Sequence, residues 1–158
     1  MLDNGPRFYI MVGIPGSGKT TYARRYLAGA LRVCLDELRL MLTGVAYDSR
    51  YESAVVAVGH AALEALLARA REWRQDVLLD ATNVTRDRRQ VYLKMAERHK
   101  VPAVAVYVEC PLATALARDR ARSGSVGDEV VRRYYAQLEP PGTDEGFAQV
   151  ITVADFSI

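Results

Sequence analysis

The sequence predicts an α/β fold, a mostly parallel central sheet of about five strands with helices on both faces. Short runs rich in valine, isoleucine and leucine alternate with longer segments of helical spacing, and a glycine-rich loop joins the first run to the first helix. No internal repeat or low-complexity linker interrupts this order. At 158 residues, 50% hydrophobic and 25% charged, the chain has the composition of one globular domain, expected over residues 1–158.

Taken in order, residues 8–12 form an apolar strand ending at Gly13, and residues 20–31 place Tyr22, Ala23, Tyr26 and Leu27 on one helical face. A second strand is expected over 31–35, then a short helix over 36–42 that Gly44 closes. Residues 50–74 are rich in alanine and leucine with charges gathered near the C-terminal end, which predicts a long helix. A buried strand over 77–79 follows, and Thr85 is placed to cap a helix running to about His99, with Asp87 in its first turn. Pro102 precedes a strand over 103–108 and Pro111 opens a further helix. Residues 118–127 are rich in arginine and punctuated by glycine; with a helix over 128–138 they read as a mobile hairpin. A turn at Pro140, Pro141 and Gly142 leads to a last strand over 150–153.

No stretch approaches the roughly 18 uninterrupted apolar residues of a membrane span. Residues 1–7 lack the basic and apolar regions of a signal peptide, so no membrane association and a cytoplasmic location are expected. Cys34 and Cys110 read as buried free thiols, far apart and outside any metal-binding spacing. The formal net charge of +2 is too small for non-specific binding to long nucleic acid, so such a substrate would have to be gripped locally. His60 and His99 read as helix residues without catalytic partners.

Chemistry concentrates in two places. Gly13-Ile14-Pro15-Gly16-Ser17-Gly18-Lys19-Thr20 matches GxxxxGK[ST] between a predicted strand and a predicted helix. Glycines let the backbone curl so that successive N–H groups point at phosphate oxygens, and the helix adds its positive N-terminal end. Lys19 is expected to reach the β- and γ-phosphates of ATP. Thr20 offers a hydroxyl to Mg²⁺, and Asp80, ending the third strand, is placed to assist that ion or to serve as a turn residue. The second place is Asp36 and Arg39, three apart on the short helix at the ligand-binding edge of a parallel sheet. The carboxylate can take the proton of an attacking hydroxyl while the guanidinium holds an anionic group of the acceptor. An exposed ion pair worth about 0.3 to 0.5 kcal/mol explains the same spacing.

The segments GIPGSGKTT, LDELR at 35–39, LLDATNVTRDRR at 78–89 and ARDRARSG at 117–124 together resemble the polynucleotide 5′-kinase branch of P-loop kinases, close to the zeta-toxin group, over nearly the whole chain. The resemblance implies a three-layer P-loop kinase fold with an arginine-bearing helical lid over about 112–138. It implies nucleotide contacts from Gly13, Pro15, Gly16, Ser17, Gly18, Lys19, Thr20 and Thr21, with ATP and Mg²⁺ as cofactors. Asp36 would be the general base, and Arg39 would bind the phosphate adjoining the nucleoside whose 5′-OH is phosphorylated. Arg122 would brace the ATP phosphates from the lid, with Arg118 and Arg120 as further candidates. Thr82 and Asn83 would shape or line the acceptor pocket, and Arg86, Arg88 and Arg89 are placed to meet a nucleic-acid backbone or to form a solvated face. Leu35 stands where some polynucleotide kinases have a basic residue, which implies a weaker grip on long substrates. No phosphatase or ligase module is expected within these residues, so end repair by this chain would stop at the kinase step.

Two other readings stand beside the polynucleotide kinase. A kinase of the same fold could act on a sugar, antibiotic, nucleoside or other small molecule. A nucleotide-dependent switch could use the loop without an acceptor, although no NKxD guanine-reading element is present and an arginine lid favours transfer.

Overall fold

The computed structural model describes residues 4–154 and 156–158. Residues 1–3, part of the segment read above for a signal peptide, lie outside the described ones. The order is β1 (Phe8–Val12), α1 (Lys19–Tyr26), β2 (Leu31–Cys34), α2 (Leu35–Thr43), α3 (Glu52–Trp73), β3 (Val77–Asp80), α4 (Arg86–His99), β4 (Ala103–Val108), α5 (Leu112–Ala121), α6 (Asp128–Gln137) and β5 (Gln149–Val153), with a short 3-10 helix (Thr143–Glu145) before β5.

The five strands make one parallel sheet in the order β2-β3-β1-β4-β5. Alternate residues of each strand point to opposite faces. Phe8, Ile10, Val77, Leu79, Ala103 and Ala105 pack beneath α3 and α4, whereas Met11, Leu78, Val106 and Val108 pack beneath α1. Both faces are covered, which is why the strands read as continuous apolar runs. A third cluster joins Ile14 and Val84 to Ala115, Leu116 and Val131, so α5 and α6 sit directly on the loop after β1.

Several boundaries differ from the sequence expectation. The first helix stops at Tyr26 instead of reaching residue 31, because Ala30 N–H turns back to Leu27 O and Leu31 N–H already bonds Asp76 O to start β2. Leu35, expected at the end of the second strand, is the first residue of α2. The long helix loses two residues at its start and one at its end, where Arg74 adopts a left-handed φ of 52°. By length and composition α3 is apolar enough to cross a membrane. Its Val55, Gly59, Leu63, Leu67 and Ala70 are buried, with Leu63, Leu67 and Ala70 in the core under the sheet. Cys34 is buried as expected, but Cys110, at the mouth of the sheet, is only half-buried.

The strand order directs the site. The chain leaves β1 toward β2 on one side, and leaves β3 toward β4 on the other. The loops after these two neighbouring strands therefore diverge and open a crevice at their carboxyl ends, where parallel sheets bind ligands.

Candidate functional site

The loop over residues 13–20 fills this crevice. Gly16 and Gly18 have φ of 82° and 93°, which residues with a Cβ rarely adopt. A Cβ on Gly16 would lie 2.3 Å from Ala115 O of α5, so the lid helix packs on bare backbone there. Gly13 N–H bonds Thr82 O at 2.9 Å and ties the loop to the turn after β3. Pro15 is buried and Thr21 is half-buried in the first turn of α1. Lys19 opens α1 and is buried with 8% exposure, yet it enters no ion pair among the described residues. Ser17 Oγ is buried and lacks a hydrogen-bond partner. A buried ammonium and an unsatisfied hydroxyl in a backbone cradle at a helix N-terminus are what a polyphosphate would satisfy.

Beside the loop, Thr20 Oγ1 donates to Asp80 Oδ1 at 3.2 Å, bringing the two oxygen donors expected for Mg²⁺ together. Mg²⁺ takes oxygen ligands, usually one or two carboxylates with waters and phosphate oxygens, so this donor set fits it. Among the described residues no cluster of three or more His, Cys, Asp or Glu side chains could hold a metal by itself. The sequence reading missed Arg32. From β2 it donates to Asp80 Oδ2 at 3.2 and 2.7 Å and to Glu37 Oε1 at 2.9 Å. Burial pulls the Arg32 pKa down, but the bonds to Asp80 and Glu37 raise it overall. Arg32 thus holds Oδ2 of the nearly inaccessible Asp80 and leaves Oδ1 facing Thr20. A charged residue inside an otherwise apolar strand was the available signal.

Asp36 lies in the first turn of α2, at the carboxyl end of β2, with its side chain exposed. Arg39 Nη1 donates to Asp36 Oδ1 at 2.6 Å. A second partner was not foreseen: Glu52, at the start of α3, takes both Nε and Nη2 of Arg39, at 2.9 and 2.6 Å. The bonds from Arg39 hold the Glu52 carboxyl below its ordinary pKa although burial opposes this, and Glu52 in turn raises that of Arg39. Glu52 fixes the guanidinium plane while Asp36 stays open to solvent. Only tertiary packing of α2 on α3 brings residues 39 and 52 together, and no local spacing encodes that.

The lid arginines separate into distinct roles. Arg118 donates to Ser17 O of the phosphate loop at 3.1 Å and to Phe156 O at 2.8 Å. Arg120 pairs with Asp128 on α6. Arg122 pairs at 2.7 Å with Asp119. Asp119 is fully buried and also receives Ser125 Oγ and the N–H groups of Val126 and Gly127. It gathers the glycine-punctuated segment into an ordered turn.

The basic cluster of α4 divides: Arg86 and Arg88 are exposed, as a solvated face requires, whereas Arg89 turns inward, contrary to that reading. Arg89 is fully buried, donating twice to Glu145 at 2.8 and 2.7 Å and once to Asn83 O at 2.9 Å. Arg86 bonds Asp144 at 2.8 Å. Only Arg88 remains without a carboxylate partner among the described residues. Asn83 has a left-handed φ of 47° and is buried, its amide donating to Met11 O at 2.8 Å, so it shapes the turn from within. Thr82, half-buried, holds the loop through its carbonyl. His99 pairs with Glu64, and His60 packs edge-on against Tyr92.

A parallel sheet in this order, a phosphate loop after its central strand and a helical lid resting on that loop define a P-loop kinase domain. Residues 8–141 match the family described as an AAA domain, and the chain belongs to that family. It is 23% identical over 139 residues to an L-seryl-tRNA(Sec) kinase from Methanococcus maripaludis, covering 85% of this chain and 53% of that protein. A chain of the Pnkp1/Rnl/Hen1 RNA repair complex superposes with a TM-score of 0.70 at 25% identity, covering 85% of this chain and 44% of that one. A gluconokinase from Sinorhizobium meliloti superposes with a TM-score of 0.60 at 20% identity, covering 94% and 82%. The chain therefore spans about half the length of the first two relatives.

Proposed function

We propose that this domain moves the γ-phosphoryl group of ATP to the 5′-hydroxyl end of a nucleic acid. The observation that carries the reading is the Asp36–Arg39 pair, fixed by Glu52 at the carboxyl edge of the sheet beside the phosphate loop. The similarity to an L-seryl-tRNA kinase and to a chain of an RNA repair complex supports an acceptor carried on RNA.

In this reading the loop N–H groups and Lys19 hold the β- and γ-phosphates, and Pro15, Gly16, Ser17, Gly18 and Thr21 shape the cradle. Thr20 and Asp80 would hold Mg²⁺, which would supply charge neutralisation at the phosphates. Asp36 accepts the proton of the attacking hydroxyl, and Arg39 grips the phosphate adjoining the terminal nucleoside. Thr82 and Asn83 set the position of the turn bordering the acceptor. Arg118 steadies the loop, and Arg122 exchanges Asp119 for a phosphate oxygen as the lid closes, excluding water from the transfer. A cytoplasmic location belongs to the same reading.

A small-molecule acceptor is the second reading, favoured by the formal net charge of only +2. The first is tested by Asp36→Asn, which keeps the side chain's shape and removes its basic oxygen. Transfer to a 5′-OH oligonucleotide should fall by about a hundredfold while ATP binding persists. Near-normal transfer by this variant would remove Asp36 from the role.

A further inference from the structure

The α4 helix carries three arginines in its first turn, and the fold treats them differently. Arg89 is consumed by Glu145 and the Asn83 carbonyl, and Arg86 by Asp144. Arg88 is exposed, meets no carboxylate among the described residues, and lies with its guanidinium carbon 5.6 Å from the ring centre of Tyr134 on α6. Cation–π contact orients a guanidinium without neutralising its charge.

Arg88 and Tyr92 are four apart on α4 and share a face, and Tyr92 is buried against His60 of α3. Arg88 and Arg39 both draw down the Tyr92 phenol, whose pKa burial raises overall, and Arg88 adds to the effect of Arg39 on Glu52. Arg39 is bound to Glu52 at the start of α3, and Arg88 lies one turn before Tyr92, whose ring meets His60 of the same helix, so both guanidinium groups lie along α3. They differ in reserve. Arg39 is already balanced by Asp36 and Glu52, whereas Arg88 brings an uncompensated positive charge.

We propose that Arg88 binds a second phosphate of the acceptor, one nucleotide beyond the phosphate held by Arg39, and so makes the site selective for a polynucleotide end over a mononucleotide. The inference rests on the 5′-hydroxyl reading above. Arg39, on α2, is three residues from Asp36 and takes the phosphate next to the reacting hydroxyl; Arg88 stands on α4, beyond α3, beside Tyr134 of α6.

The test compares a nucleoside 3′-phosphate with a 5′-OH trinucleotide as acceptors for the wild type, Arg88→Ala and Arg88→Lys. Arg88→Ala should raise KM for the trinucleotide about tenfold and move KM for the nucleoside 3′-phosphate less than about twofold, with Arg88→Lys in between. The slope of log KM against log salt for the trinucleotide should become shallower by about 0.7, one phosphate contact on a single strand. Equal effects on both acceptors, or none on either, with an active wild type would overturn the role of Arg88 alone. A wild type that phosphorylates neither acceptor, while still binding ATP, would overturn the 5′-hydroxyl reading and this inference with it.

Discussion

Arg39 is shared between two carboxylates that do different work. Glu52 receives two of its N–H groups and lies half-buried at the start of α3, so it sets the direction of the guanidinium. Asp36 receives one and stays exposed; in the proposed reaction it exchanges that bond for a substrate hydroxyl. Glu52→Gln keeps an acceptor oxygen but loses the charge and one of the two parallel bonds. The acceptor KM should rise about tenfold with kcat changed far less, as expected when a binding group is misaligned. A fall in kcat at constant KM would show instead that Glu52 acts in the chemical step. Gly16→Ala belongs to the same scale: with φ of 82° and Ala115 O in the way, it should abolish binding of a fluorescent ATP analogue.

At the scale of elements, buried charges tie neighbouring segments together. Arg89 and Glu145, both essentially inaccessible, tie α4 to the short 3-10 helix before β5. Glu145→Ala leaves the arginine charge buried and should cost about 3–5 kcal/mol in urea unfolding, whereas Arg89→Met with Glu145→Leu should cost markedly less. Asp119 does the equivalent for the lid. Burial alone would raise its pKa, but hydrogen bonds from Ser125, Val126 N–H, Arg122 and Gly127 N–H lower it below the ordinary 3.8. With the folded value depressed, the stabilisation is complete above the unfolded value and disappears as pH falls through the folded one. The difference in thermal midpoint between wild type and Asp119→Asn should be constant above about pH 5 and shrink below about pH 4. A difference independent of pH would mean that the charge of Asp119 does not hold the lid turn. These elements also mark what was legible in the sequence. The strands over 8–12 and 103–108, the phosphate loop, the Thr85 cap and the Gly44 stop are local signals, and they stand where expected. Glu52, Arg32, Glu145 and Asp119 act through partners supplied by packing or by backbone geometry. The pattern at residues 86–89 looked like a basic face because sequence cannot show which arginine points inward.

For the whole molecule, the strand order places the phosphate loop, Asp80 and the Asp36–Arg39 pair on one rim. β1 carries the phosphate loop, β3 ends in Asp80, and β2 feeds α2 with its Asp36 and Arg39. The lid helices close over this rim because α5 packs on Gly16 and α6 reaches α4 through Tyr134 and Arg88. In the proposed reaction donor and acceptor approach from opposite sides of the β1–β3 crevice, with α5 and α6 as the common cover. The most direct measurement is transfer of radiolabel from the γ-phosphate of ATP, with Mg²⁺, to short RNA and DNA strands bearing a 5′-hydroxyl, beside identical strands already 5′-phosphorylated. Label on the 5′-hydroxyl strands alone is the predicted result; no label on either, with ATP still bound, would contradict a polynucleotide acceptor and move the site to a small molecule.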